Sequence, residues 1–136
     1  MDEIAEGVRQ PSALIGPCLL LLLAEQPSHG YALVDRLKEF GFVDGSTGSL
    51  YRELRRLEDG GLAHSYWEAS QTRGPARRVY ELTAAGRRAL NGCADAAVDL
   101  THTLEDFLAR YRTVGRGRRR PVPVPPLRVS GRLQAQ

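Results

Sequence analysis

The chain has 136 residues, 42% of them hydrophobic, and a formal net charge of +3. That length and apolar content allow one compact domain with a real core and exclude a wholly disordered chain. The charge is uneven: residues 1–112 hold all sixteen acids against thirteen bases, whereas the last 24 residues hold six Arg and no acid, so the basic balance belongs mostly to the tail.

Residues 1–11 are polar and read as an N-terminal arm. The longest apolar run, Leu14 to Ala24, predicts the first helix of the core, with Pro17 tolerable only in its first turn. The run is interrupted by Gly16 and Pro17 and is shorter than the ~20 residues a bilayer crossing takes. No basic segment of the signal-peptide type precedes it, so a cytoplasmic location and no membrane partner are expected. Cys18 and Cys93 lie 75 positions apart, without metal-type spacing, and read as reduced, buried small apolar groups.

Gln26-Pro27-Ser28 ends the run, and Ser28 is expected to cap a second helix. Tyr31, Leu33, Val34, Leu37 and Phe40 lie on one side of it, and Gly41 closes it. After the Asp44-Gly45 loop, Ser46 is the expected cap of a third helix that runs to about Asp59 and stops at Gly60-Gly61. Leu62 to Glu68 and Arg77 to Leu82 read as two strands around a polar turn. Thr83 is expected to cap a long helix reaching about Tyr111, and the Arg/Pro-rich segment beyond it cannot continue a helix.

Helix, helix, helix, strand, turn, strand, long helix is the order of a winged helix-turn-helix. The fold class is therefore mainly α with a small β-hairpin, plus a long C-terminal dimerisation helix. The expected organisation is an arm over 1–11, a winged-helix DNA-binding domain over 12–86, the dimerisation helix over 87–112 and a disordered tail over 113–136.

At 100° per residue, Leu50, Leu54 and Leu57 form the core stripe of the third helix. Thr47 stands in its first turn. The opposite face carries Gly48, Arg52, Arg55 and Arg56, flanked by Ser49 and Tyr51, with Glu53 and Glu58 nearer the core. Small and cationic groups near a helix N-terminus suit entry into a major groove, where Arg pairs bidentately with guanine. Three Arg on a lone helix are also an ordinary solvated face. The basic hairpin after it shifts the balance: Arg73, Gly74, Arg77 and Arg78 fall in an eight-residue tip without an acid, suited to the phosphate backbone or a minor groove. Between Ser46 and Leu90, eight Arg face five acids.

On the long helix, Leu90, Cys93, Ala97, Leu100, Leu104, Phe107 and Tyr111 recur in steps of 3 and 4. That is an a/d seam; folding back on the winged helix would bury it, and pairing with a second copy of the chain is the expected way. Asp95, Asp99, His102 and Asp106 fall on the opposite face; they read as a solvated acidic stripe, and no metal is expected. Catalytic residues and cofactors are not expected either, because His29, His64 and His102 lie in separate elements and no nucleophile elbow or phosphate loop is present. Tyr31 by itself reads as a core aromatic with a polar tip, and Trp67 as a packing residue.

The run Leu21-Leu22-Leu23-Ala24-Glu25-Gln26-Pro27-Ser28-His29-Gly30-Tyr31 resembles the start of PadR-family regulators. Gly48-Ser49-Leu50-Tyr51 with Leu54-Arg55-Arg56-Leu57-Glu58-Asp59-Gly60-Gly61-Leu62 is similar to their recognition helix. Arg73-Gly74-Pro75-Ala76-Arg77-Arg78-Val79-Tyr80-Glu81-Leu82-Thr83-Ala84-Ala85-Gly86 is similar to their wing. Arg52 departs from the Pro often found after the Leu-Tyr pair. The dimerisation helix lacks the Trp of the family's drug-binding branch, which counts against a planar drug ligand. The resemblance implies a dimeric repressor of double-stranded DNA, responsive to a signal or to a small-molecule inducer of unidentified chemistry, with His29 and Tyr31 near the DNA backbone. From the residues alone, a winged-helix protein-interaction module and a metal-responsive regulator of similar architecture stay open.

Overall fold

The computed structural model describes residues 3–9, 11–42, 47–69 and 74–114. It falls into two compact units, Met1–Ala96 and Ala97–Gln136. The expected Ser46 cap, the hairpin residues 71–73 and the tail beyond 114 lie outside the described residues.

The first unit opens with α1 (Glu3–Arg9), a seven-residue helix with no buried side chain; the expected arm thus contains helix. A single 3-10 turn (Ser12–Leu14) leads into α2 (Ile15–Glu25). Pro17 is the third helical residue, where its missing N–H would have had no intrahelical acceptor. Together, Glu3–Glu25 is long and apolar enough to cross a membrane, but Leu19, Leu20, Leu22 and Leu23 of this stretch are buried in the protein's own core.

Ser28 does not cap the next helix. It forms β1 (Ser28–His29), and α3 (Gly30–Leu37) starts from His29 without a side-chain cap. The Ser28 hydroxyl instead donates to the Gln26 carbonyl (3.2 Å) and accepts from Arg36 (2.8 Å), which also pairs with Glu25. A two-residue strand has no alternation to read, so only its partner reveals it. α3 tightens into a 3-10 turn and ends at Gly41, whose φ of 87° favours glycine.

α4 (Thr47–Asp59) closes with paired bonds: Leu62 N–H to the Leu57 carbonyl (2.8 Å) and Gly61 N–H to the Glu58 carbonyl (3.0 Å). This is the Schellman arrangement, and Gly61 supplies its left-handed residue at φ 76°. β2 (Ala63–Glu68) and β3 (Arg77–Leu82) then pair antiparallel from Ala63↔Leu82 to Glu68↔Arg77. β1 adds to the free edge of β3 through Ser28↔Tyr80 and His29↔Val79, turning the expected hairpin into a three-stranded sheet of order β1-β3-β2.

α5 (Ala84–Val114) is capped as expected: the Thr83 hydroxyl accepts from Gly86 N–H at 3.0 Å. A Cβ on residue 86 would sit 2.0 Å from the Leu62 carbonyl oxygen, so this position requires glycine. The core gathers Leu19, Leu20, Leu22 and Leu23 of α2 with Leu33, Leu37, Phe42, Leu50, Leu54, Leu57, Ala63 and Tyr80. Leu90 and Cys93 also pack on it. The first two positions of the expected intersubunit seam are therefore occupied within the chain, because the helix leaves Thr83 directly over the core. Both cysteines are free and half-buried, less enclosed than the sequence suggests, and burial pushes the Cys18 thiol up from its ordinary range.

In the second unit, Ala97, Leu100, Leu104 and Phe107 are exposed and Tyr111 is half-buried. Phe107 is 64% exposed, a large apolar group on a charged helix.

Candidate nucleic-acid interface

Burial divides α4 by helical period. Leu50, Leu54 and Leu57 are buried, while Gly48, Tyr51, Arg52, Arg55 and Arg56 are exposed. Glu53 and Glu58 lie half-buried along the border. Arg52 donates to the Ser49 hydroxyl at 3.1 Å, and Arg56 stands 3.7 Å from Glu53. Such exposed contacts are weak and readily exchanged for stronger anionic partners. Arg55 pairs with no described residue. An open groove lined by Ser12, Gly16, Pro17, Ser49, Arg52 and Arg56 runs beside this face. Thr47 begins the helix, and its side chain lies outside the described residues.

The start of α3 is docked against this helix. The Tyr51 ring lies over Gly30 so closely that a Cβ there would come within 2.6 Å of it. On the same short segment, His29 and Tyr31 stack with rings 5.5 Å apart and nearly parallel. Tyr31 is 54% exposed, not a core aromatic. Its hydroxyl accepts from Arg77 at 2.7 Å, and the Arg77 guanidinium lies 5.7 Å from its ring. These residues are 46 positions apart in the chain. The β1–β3 pairing joins them, since His29 lies opposite Val79. His29 Nε2 lies 3.7 Å from Glu68, and its Nδ1 is buried without a partner.

Arg77 and Arg78 open β3, the strand expected over Arg77 to Leu82, where it leaves the basic tip. Arg78 has several partners. It donates to the Ser65 hydroxyl (2.9 Å), lies 3.4 Å from Glu58 and sits 5.8 Å from both the Trp67 and Tyr80 rings. Ser65 in turn donates to Glu58 at 2.7 Å, tying the hairpin to the end of α4. Trp67 is 66% exposed, so it is not the packing residue the sequence suggests. Burial pushes the Tyr80 phenol up, with Arg78 opposing that shift. Gly74 is exposed, and Arg73 lies outside the described residues.

Sequence reasoning missed Glu58, Ser65 and Trp67 as parts of this surface. Once the register is known, the pairs Ser65↔Tyr80 and Trp67↔Arg78 fall on one sheet face, but a single strand does not reveal its register. Among the described residues, no three of His, Cys, Asp and Glu come together to hold a metal ion. The arrangement offers exposed guanidinium groups on one helix and an adjoining strand, suited to phosphates and guanine edges.

The family model described as transcriptional regulator PadR-like matches residues 19–92. The transcriptional regulator Rv3488 of Mycobacterium tuberculosis is 45% identical over 94 residues, covering 69% of this chain and 83% of the relative. The fold is similar to a PadR-like regulator from Bacillus cereus, with TM-score 0.65, 26% identity and coverage of 73% of this chain and 95% of that one. A PadR family regulator from Clostridium difficile R20291 gives TM-score 0.62 and 25% identity, over 70% of this chain and 98% of its own. These relatives are transcription regulators rather than enzymes. With the winged helix and the long α5 both present, the chain belongs to the PadR-like family of transcriptional regulators.

Proposed function

We propose that this regulator is a repressor that binds a pseudo-palindromic operator as a cytoplasmic homodimer. The observation that carries the reading is the exposed arginine face of α4, opposite its buried leucine stripe. α4 enters a major groove, with Arg52, Arg55 and Arg56 at base edges and phosphates. Thr47, Gly48, Ser49 and Tyr51 lie along its approach. His29 and Tyr31 at the start of α3, with Arg73, Gly74, Arg77 and Arg78 on the hairpin, follow the flanking backbone.

The exposed Leu100, Leu104 and Phe107 supply the pairing face for a second copy. Two recognition helices then reach half-sites about one helical turn apart, or a multiple of it. A small-molecule inducer acting on the dimer completes the reading.

Selection of duplexes from a random pool, followed by footprinting at about 150 mM salt, tests it. A recovered inverted repeat protected on one face of the duplex is the expected outcome. No preference over random duplex overturns the reading.

A further inference from the structure

We infer that Trp67 is a DNA-contacting residue, whose indole packs against the deoxyribose edge of the minor groove beside the wing. The inference rests on the DNA-binding reading above and adds a contact that the arginines alone do not imply. An indole with two-thirds of its surface in water, faced by the Arg78 guanidinium at 5.8 Å, is a large apolar anchor left mostly uncovered among the described residues. It is not part of the apolar core and lies two pairs beyond Ser65↔Tyr80 on the hairpin.

Its surroundings identify the occupant. Trp67 shares a sheet face with Ser65, Arg78 and Tyr80. Arg78 lies between the Trp67 and Tyr80 rings and is fixed by Ser65 and Glu58. Tyr80 lies in the core that Leu50, Leu54 and Leu57 of α4 also line. The exposed members of this face, Arg78 and Trp67, thus stand at the end of a hairpin that Glu58 ties to α4.

The face combines the exposed Arg78 cation with an apolar plate at its outer end. A protein partner with a purely acidic surface would leave the plate unused. A duplex backbone offers both counterparts, phosphate for the cation and an apolar sugar edge for the ring. The Glu58 contact that fixes Arg78 also ties the wing to α4, so docking the helix brings Trp67 to the neighbouring backbone.

Trp67 is the chain's single tryptophan, so its own fluorescence reports the contact. The full chain is titrated at low salt with a mixed-sequence duplex of about 30 bp, long enough for two half-sites. The inference expects an emission change that saturates with binding and protection of the indole from acrylamide quenching. Trp67→Ala should weaken duplex binding about tenfold and leave the melting temperature unchanged, and Trp67→Phe should restore most of the affinity. Duplex binding with unaltered emission, unprotected indole and full affinity of Trp67→Ala overturns this inference while leaving the DNA-binding reading intact. No binding of any duplex, including by the unaltered chain, overturns both.

Discussion

The ring of Tyr51 occupies the space that a side chain on residue 30 would need: a Cβ built on Gly30 meets Cε1 at 2.6 Å and the hydroxyl at 2.7 Å. The glycine of the His29-Gly30-Tyr31 run thereby sets how α3 docks on the exposed face of α4. Gly30→Ala should push the Tyr51 ring outward at a modest stability change, within about 1 kcal/mol, because the ring can swing. Duplex affinity should fall more than stability. In combination with Tyr51→Ala, the Gly30 substitution should add little further loss, a non-additivity that a double-mutant cycle measures. Fully additive losses would mean that the two residues act separately.

Gly86 is a harder case. A Cβ there meets the backbone oxygen of Leu62 at 2.0 Å, and backbone cannot swing aside. Gly86→Ala should destabilise the winged helix by about 3 kcal/mol, the upper end of overpacking costs. Denaturant unfolding measures it, and a midpoint unchanged from the parent would refute the close approach.

Two sets of arginines should behave differently. Arg52→Ala or Arg55→Ala should change which bases are preferred, with a loss of about 1–3 kcal/mol at a bidentate contact. Arg77→Ala should weaken binding to all sequences and flatten the salt dependence, since Arg77 rests on the Tyr31 hydroxyl at the edge of the surface. Binding across a panel of single-base operator variants at several salt concentrations separates the two. Indistinguishable behaviour would show that α4 does not read bases.

Leu100 and Leu104 are 41% and 43% exposed in the single chain, and a partner helix would bury them. Leu100→Glu with Leu104→Glu would place charges in that interface at a cost of several kcal/mol. Sedimentation should report monomers, and operator affinity should collapse because the second half-site no longer arrives at high effective concentration. A double variant that remains dimeric would place the interface elsewhere.

Alkaline pH should erode stability. Burial raises the folded-state values of the Cys18 thiol and the Tyr80 phenol above those of the unfolded chain. A raised value favours the folded state fully below the unfolded pKa, and the advantage is lost as pH climbs through the folded one. Unfolding free energy should therefore decline from about pH 9 upward, and Cys18→Ala together with Tyr80→Phe should flatten that decline. Unchanged alkaline slopes in the double variant would assign the decline to other groups.

Local chemistry was enough to read much of this protein from its residues. The spacing of Leu50, Leu54 and Leu57 names the buried face of α4, and Gly60-Gly61 and Thr83 mark its end and the start of α5, because period and capping act within a few residues. The family motifs were legible for the same reason: they are short, ordered and local. Tertiary structure alone decided what depends on partners distant in sequence. Ser28 became a strand because β3 offered a free edge, and Tyr31 became a surface residue because β1–β3 pairing carries Arg77 to its hydroxyl. Leu90 and Cys93 turned inward because α5 begins over the core, although their spacing matches the exposed leucines further along. Trp67 was left in water because the last pairs of the hairpin extend beyond the core. Register and exposure are properties of which surfaces meet, and no single strand or helix carries that information alone.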